Sequence, residues 1–475
     1  MSDNQEVLAP NLSNVQQQIK QVQELLSLEE PYTISLVTPI FGGGSKAGKI
    51  DKQQPIREAS IRGHLRFWWR ATCGASYTNV LELRREEVAI FGDTTTPSRV
   101  KIWVESSDPP LIKTTLIKNV PPPSYVLFPV RSNPVDYLEN YDFRLHIRYE
   151  GAGLSPQRMK ALQQELHAAL WAWINFGGLG SRTRRGAGSL YCPEFSPPRG
   201  KNLQQWYREK IEKYELQLLH LGQYRDWPTL SSSIFFNGEE EKKLNAGRGS
   251  NANLAWKSLI NTYHCFRQRR NTDQDGNKRR SLWPEPDSIR KIMGMQNKDH
   301  RHLFTLEKEE LRYAFPRSQL GMPIITTFHK DDHGDPYTTE LLPVGKDRLA
   351  SPLILKVVAL DKTNGVGAII VLNHKPITGL KFKRMKEEWE KQPHRNKSNP
   401  GKLSFKEKQI KEIDERLNNL TITPEHIYSS LNYNKSPMKI NDESTNSAIE
   451  AFLNSKEVQR WKQGHPNTPP KIKRP

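Results

Sequence analysis

Three arginines recur at four-residue spacing, Arg62, Arg66 and Arg70, within the segment SIRGHLRFWWR at residues 60–70. On a helix such a row repels itself by roughly 0.2–0.5 kcal/mol per pair unless an anion lies along it. Guanidinium groups also match the geometry of phosphate oxygens. With Ser60 as N-cap, the helical period places Ile61, Leu65 and Trp68 on a narrow apolar stripe. Trp69 then joins the arginines on a neighbouring face, and Phe67 sits apart. An arginine row beside an exposed indole suits a phosphate backbone with unstacked bases. His64 lies on the same helix, and Arg57 precedes it.

Two glycine-rich loops add to this pattern. The first, FGGGSKAGK at residues 41–49, carries Gly42, Gly43 and Gly44 together with Lys46 and Lys49. The second, GGLGSRTRRGAG at residues 177–188, sets Arg182, Arg184 and Arg185 among Gly177, Gly178, Gly180 and Gly186. Glycines let a backbone approach a ligand closely and present its N–H groups, and the cations supply charge. The expected ligand of both loops is a phosphate, and the two loops are expected to form one groove.

Other motifs tempt and fail. Residues 43–49 match the first seven positions of a phosphate-binding P-loop, but Ile50 stands where magnesium coordination needs Ser or Thr. Asp51–Pro55 is a poor helix start, so nucleotide hydrolysis is not expected. His64 could act as acid or base in RNA cleavage, yet no partner carboxylate or lysine is identifiable, so no catalytic residue is assigned. Asp331, Asp332, His333 and Asp335 resemble a metal cluster, but HKDDHGDPY also reads as a polar turn; no metal and no cofactor is expected. Cys73, Cys192 and Cys265 are scattered, with neither metal-ligand spacing nor a disulfide framework, as in a reduced cytoplasmic protein.

The elements that must position these residues follow from periodicity. Tyr32–Val37 alternates as a strand, and Arg99–Val104 reads as another. In Asp142–Glu150, Phe143, Leu145, Ile147 and Tyr149 alternate with Arg144, His146 and Arg148, giving one apolar and one basic sheet face. Ser155-Pro156 opens a helix whose apolar stripe runs from Met159 to Trp173 and stops at Gly177. A short strand follows at Gly188–Cys192. The order β-α-β-β-α-β is the ferredoxin-like arrangement, although the sheet aromatics of RNA-recognition modules are not evident.

The fold class expected is α+β, with tandem ferredoxin-like domains, a helical insertion and a charged C-terminal extension. The domain reading is an arm at 1–30, a first ferredoxin-like domain at 31–198, a helical or loop insertion at 199–310, the strand-rich part of a second domain at 311–378, and a basic, partly disordered extension at 379–475. Within these, helices are expected at Leu203–Leu221, Ala252–Gln268 and Leu403–Leu420, the last as a solvated helix. Strands of a second, smaller α/β unit are expected at Gly321–Phe328, Ser351–Leu360 and Gly365–Asn373. Val120–Ser124 and Arg267–Arg280 read as loops.

The chain has 475 residues and a formal charge of +19, so a polyanionic partner is the default expectation. Mean hydropathy is −0.73, and no apolar run approaches the roughly 18 residues of a membrane span. The N-terminus lacks the basic-then-apolar layout of a secretory signal. A cytoplasmic location without membrane attachment is expected.

TPIFGGG at 38–44, followed by PIREASIRGHLRFWWRAT at 55–72, resembles the start of the RAMP-superfamily subunit one of the type III-B CRISPR–Cas (Cmr) effector complex. NFGGLGSRTRRGAGSL at 175–190 is similar to the glycine-rich loop that RAMP proteins share, and LGMPI at 320–324 and RLASPLILK at 348–356 resemble that family's second ferredoxin-like domain. The resemblance implies a non-catalytic subunit near the 3′ end of the CRISPR RNA, holding guide and target RNA. It implies as neighbours the backbone RAMP subunit and a second capping RAMP subunit. Two other functions compete: a CRISPR-RNA processing endoribonuclease of the same superfamily, and a general single-stranded RNA-binding protein.

Overall fold

The computed structural model describes residues 13, 29–46, 48–106, 109–115, 125–127, 134–248, 251–272, 278–295, 313–328, 336–385, 405–431, 433 and 435–467. The chain forms two compact units. One comprises the described residues up to Phe236 with 240–256 and 355–373; the other comprises 237–239, 257–354 and the residues from 374 onward.

In the first unit, alternation of apolar side chains produces strand β1 (Glu29–Leu36), and the short, wholly buried β2 (Ile40–Phe41) follows. Helices α1 (Glu58–Ala71) and α2 (Val80–Phe91) follow. Then come β3 (Val100–Glu105), β4 (Lys113–Thr115), β5 (Val135–Leu138) and β6 (Asp142–Tyr149). Helix α3 (Pro156–Phe176) and strand β7 (Leu190–Tyr191) complete this half. The main sheet has the order β3-β6-β1-β7. Tyr32 pairs with Leu145, Ile102 with Ile147 and Leu36 with Leu190, all antiparallel. With α1 after the first strand and α3 after the third, this is the ferredoxin-like topology that the element order predicts. A small sheet, β2-β5-β4, stands beside it.

The α1 helix starts two residues before the predicted Ser60 cap. Ser60 N and Ile61 N both donate to Arg57 O, at 3.0 and 3.2 Å, so the first turn closes earlier and Arg57 occupies the N-cap. Ser155 caps α3 through its side chain, which accepts from Arg158 N.

The same unit holds most of a second ferredoxin-like set, while residues 257–267 of its second helix and 353–354 of its second strand fall in the other unit. Helix α4 (Leu203–Lys213) leads to strand β8 (Thr229–Phe236), and helix α5 begins at Ala252 and ends at Arg267. Strands β9 (Leu353–Ala359) and β10 (Gly365–Asn373) follow, and the sheet order is β9-β10-β8. Ile370 pairs antiparallel with Ile234. This reproduces the first three strands of the arrangement, and the fold class is α+β with tandem ferredoxin-like domains.

Several expectations change. The 199–310 region contributes β8 to a sheet, so it is more than helices and loops, and its partners lie over a hundred residues onward. Leu203–Leu221 is helical only to Lys213. The stretch read as a loop at 267–280 contains strands Arg270–Thr272 and Lys278–Ser281, which pair with each other. The three strands expected in one smaller unit divide: Ile324–Thr326 pairs with Thr339–Pro343, which also pairs with Leu380–Arg384, apart from β9 and β10. The boundaries expected at 198 and 310 do not coincide with the limits of the two units.

In the second unit, Phe405–Asn418 is not a fully solvated helix: Ile413 and Leu417 join a core with Phe315, Phe382 and Ile427. Further helices at Ala448–Leu453 and Lys456–Lys462 bury Phe452 and Trp461, so much of the C-terminal extension is packed chain. The 1–28 part of the arm save Ser13, the 120–124 run, the Asp331–Asp335 cluster and the last eight residues lie outside the described residues.

Candidate nucleic-acid interface

The arginine row on α1 is turned into the protein. Arg62 donates through Nη2 to Phe91 O and through Nη1 to Val100 O, the latter at 3.5 Å. Arg66 Nη2 reaches Gly92 O at 2.5 Å, and its Nε pairs by charge with Glu87 Oε1 at 3.0 Å. Arg70 Nη1 donates to the same Glu87 oxygen at 2.7 Å. The anion that relieves the repulsion of the row is therefore the buried Glu87 carboxylate of α2, together with carbonyls at that helix's end. Trp69 is 0% exposed, and its Nε1 donates to Glu165 Oε2 at 2.9 Å, so it cannot stack on a base. The sequence shows the stripe that meets the sheet. It does not show that α2 and α3 cover a second face of α1.

What α1 leaves toward solvent is the face bearing Arg57, Gly63, His64 and Phe67, with Arg57 and Gly63 exposed and the others half-buried. His64 stacks on Trp173 of α3, 6.2 Å between centroids and 14° from parallel. Burial, with the Lys356 ammonium second, pushes its pKa down to about 4, so the ring is neutral at pH 7. Among the described residues it has no carboxylate partner. Phe67 carries the Arg184 guanidinium above its ring at 5.8 Å. Burial and then Arg185 lower the Arg184 pKa to about 10, which leaves it charged at neutral pH.

The two glycine loops are brought together, as the sequence led us to expect. Ser181 donates to Phe41 O through both N and Oγ, at 2.9 and 2.7 Å. A Cβ on Gly43 would stand 3.5 Å from Gly180 Cα. Thr38 Oγ1 donates to Gly186 O at 2.7 Å and accepts from Ser189 N at 2.8 Å, tying β1's end to the second loop.

Most of the glycines serve this close packing and do not point N–H groups at a ligand. Gly177, Gly178 and Gly186 are buried. A Cβ on Gly178 would lie 2.6 Å from Gly188 O, and one on Gly186 would lie 2.7 Å from Trp256 Nε1. The N–H groups of Gly42, Gly44, Gly177 and Gly186 are bonded to Asp136 O, Lys49 O, Trp173 O and Thr183 O. Gly43 and Gly180 differ: neither donates its N–H to the described chain, both have positive φ (+105° and +77°), and they face each other across the loop contact.

Charge rims this pair unevenly. Lys46 is exposed. Lys49 is half-exposed but bonds Asp136 Oδ1 at 3.1 Å, so it anchors its loop to β5. Arg182 is exposed and opens the turn Thr183–Arg185 in a left-handed conformation, φ 64°. Arg185 donates Nη1 to Arg184 O, and its own carbonyl accepts from Trp256 Nε1 at 2.6 Å.

Two residues that periodicity did not single out also line the region. Phe67 is one. The other is Lys356, 0% exposed on β9, whose Nζ donates to Gly177 O. A lone lysine inside the apolar run LILKVVA was the available signal. Among the described residues no three His, Cys, Asp or Glu side chains gather in a metal-binding group, and no helix is long and apolar enough to cross a membrane.

This strand order, the paired glycine loops and the match of residues 33–191 to the RAMP superfamily model define that part of the chain as a RAMP-superfamily domain. It is homologous to Cmr1 subunits. The CRISPR system Cmr subunit Cmr1-2 of Pyrococcus furiosus is 29% identical over 181 residues, 34% of this chain and 94% of that one. Cmr1-1 of the same organism is 29% identical over 143 residues, 28% of this chain and 40% of that one. The crystal structure of Cmr1 from Pyrococcus furiosus, in its apo form, aligns with a TM-score of 0.43 at 18% identity, over 74% of this chain and 89% of that chain.

Proposed function

We propose that this chain is a non-catalytic, RNA-binding subunit of a type III-B CRISPR RNA-guided effector complex in the cytoplasm. In this reading it caps the complex near the 3′ end of the CRISPR RNA, beside the backbone RAMP subunit and a second capping RAMP subunit, and holds guide and target RNA. The homology to Cmr1 subunits supports membership of such a complex.

The observation that carries RNA binding is the pair of N–H groups at Gly43 and Gly180 that bond nothing among the described residues, where two loops meet beside exposed Lys46 and Arg182. Adjacent unpaired backbone N–H groups with cations around them make an anion-binding concavity. Phe67 and His64 present half-exposed rings on the adjoining face of α1, suited to unstacked bases. Arg57, exposed at the N-cap of the same helix, extends the basic rim. General acid–base cleavage of RNA pairs an acid with a base, and the charged group that acts on His64 is the buried Lys356, which favours binding over cleavage.

The test is binding of a labelled single-stranded CRISPR-repeat RNA across a salt series. Lys46→Glu with Arg182→Glu is expected to weaken binding and to reduce the salt slope by about 0.7 per lost phosphate contact. Wild-type affinity and slope in the folded double variant would remove the loop assignment. Reproducible cleavage of the RNA, lost in His64→Ala, would favour the endoribonuclease reading.

A further inference from the structure

Lys356 is a buried amine with no counter-ion among the described residues. It sits on β9 among apolar neighbours in sequence, its side chain is wholly shielded, and its single hydrogen-bond acceptor is the carbonyl of Gly177. Among the described residues no carboxylate pairs with it. A buried ammonium normally acquires an acidic partner, because an uncompensated charge in a low-dielectric interior costs several kcal/mol. Several cations near the loops have such help or reach water: Lys49 has Asp136, Arg66 and Arg70 have Glu87, and Lys46 and Arg182 are exposed.

The surroundings of Lys356 identify where the missing charge belongs. Gly177 ends α3 and begins the second glycine loop. His64 of α1 is the titratable group that acts electrostatically with Lys356. The α3 side contributes Trp173, which stacks under His64, and the Gly177 carbonyl. The imidazole nitrogens of His64 bond nothing in the described chain, and the ring lies half-buried against Trp173 of α3, so it keeps a hydrogen-bond donor for a ligand. A neutral imidazole can donate one hydrogen bond to an oxyanion without competing for the lysine's proton.

We propose that Lys356 and His64 form an anion subsite that receives one phosphodiester of bound RNA at the root of the second glycine loop. This rests on the RNA-binding reading above. Lys356 supplies the charge from behind the Gly177 carbonyl, and His64 supplies the direct contact. Burial brings the Lys356 pKa down to about 7, so an arriving phosphate draws a proton onto the amine as it binds.

The test uses calorimetric titration of the full chain with single-stranded CRISPR-repeat RNA at pH 7.5, in two buffers of different ionisation enthalpy. The wild type is expected to take up a fraction of a proton per RNA bound. Lys356→Met is expected to abolish the uptake and to weaken binding about tenfold, while His64→Ala weakens binding and leaves the protein folded. RNA binding by the wild type without proton uptake overturns the subsite whether or not the variants fold, and leaves the loop assignment standing. Unchanged affinity and uptake in a folded Lys356→Met protein overturns it equally. Failure of the wild type to bind RNA at all overturns the functional reading itself, and the subsite with it.

Discussion

Trp69 and Glu165 join two helices across the covered face of the first sheet: the indole Nε1 of α1 donates to Glu165 Oε2 of α3 at 2.9 Å. Arg158 Nη1 holds the other carboxylate oxygen at 2.9 Å and reaches Glu86 of α2 through Nη2 at 3.3 Å. A tryptophan that sequence alone offers as a stacking platform is thus a fastener among α1, α2 and α3.

Trp69→Ala is expected to destabilise the protein by about 3–5 kcal/mol, through the cavity and the loss of the donor to Glu165 Oε2. Trp69→Phe keeps most of the volume and should cost about 1–2 kcal/mol. Urea denaturation measures both. RNA affinity of the folded Phe variant should equal that of the wild type, and a clear loss would return Trp69 to the binding face.

Glu87 carries Arg66 and Arg70 on one carboxylate oxygen in a nearly buried position. Glu87→Ala leaves two partly shielded guanidinium groups facing each other and is expected to cost about 2 kcal/mol. Replacing Arg62, Arg66 and Arg70 by alanine should likewise lower the melting temperature, by removing three tethers to α2. It should leave the RNA salt slope of the folded fraction unchanged. A slope reduced by about 2 units would mean that these arginines contact phosphates after all.

Glu30 is an acid-sensitive point of the first sheet. Its burial raises the pKa, but hydrogen bonds from His167 at 2.8 Å, Tyr32 at 2.5 Å and Gln163, with the charge of His167, bring the carboxyl down to about 2. A lowered carboxyl pKa gives stability that is complete above the unfolded value near 4.5 and is lost as pH falls toward 2. Glu30→Gln should cost about 2 kcal/mol at pH 7 and show a shallower loss below pH 4.5. Parallel acid-unfolding curves for the two proteins would refute this.

Lys356 gives a slope of the same sign in a higher pH window. The unfolded amine holds its proton up to about pH 10.4, whereas the folded one titrates near 7. The unfolded state therefore binds more protons between these values, so stability rises with pH across that window and the cost of the charge is complete below pH 7. Lys356→Met should melt no lower than the wild type at pH 7 and should lack the gain in stability from pH 7 to 9. A marked loss of stability in the variant would make Lys356 a structural residue.

Periodicity and punctuation alone determined the first ferredoxin-like domain, because β1, β3, β6 and α3 each show the local signal of a one-faced element, and Ser155 and Gly177 mark the ends of α3. The same reading put two glycine loops at strand and helix ends, which the topology brings into contact. Two kinds of feature were decided only in three dimensions. One is pairing over long sequence distances: β8 reads as nothing in particular until β10 lies beside it, since a strand's partner leaves no trace in its own residues. The other is which of several polar faces meets water. Arg62, Arg66 and Arg70 look like ligand contacts until α2 supplies Glu87 and its terminal carbonyls, and Lys356 looks like an interruption in an apolar strand until Gly177 and His64 surround it. A helix period tells which residues share a face, and only the neighbouring elements tell what that face touches.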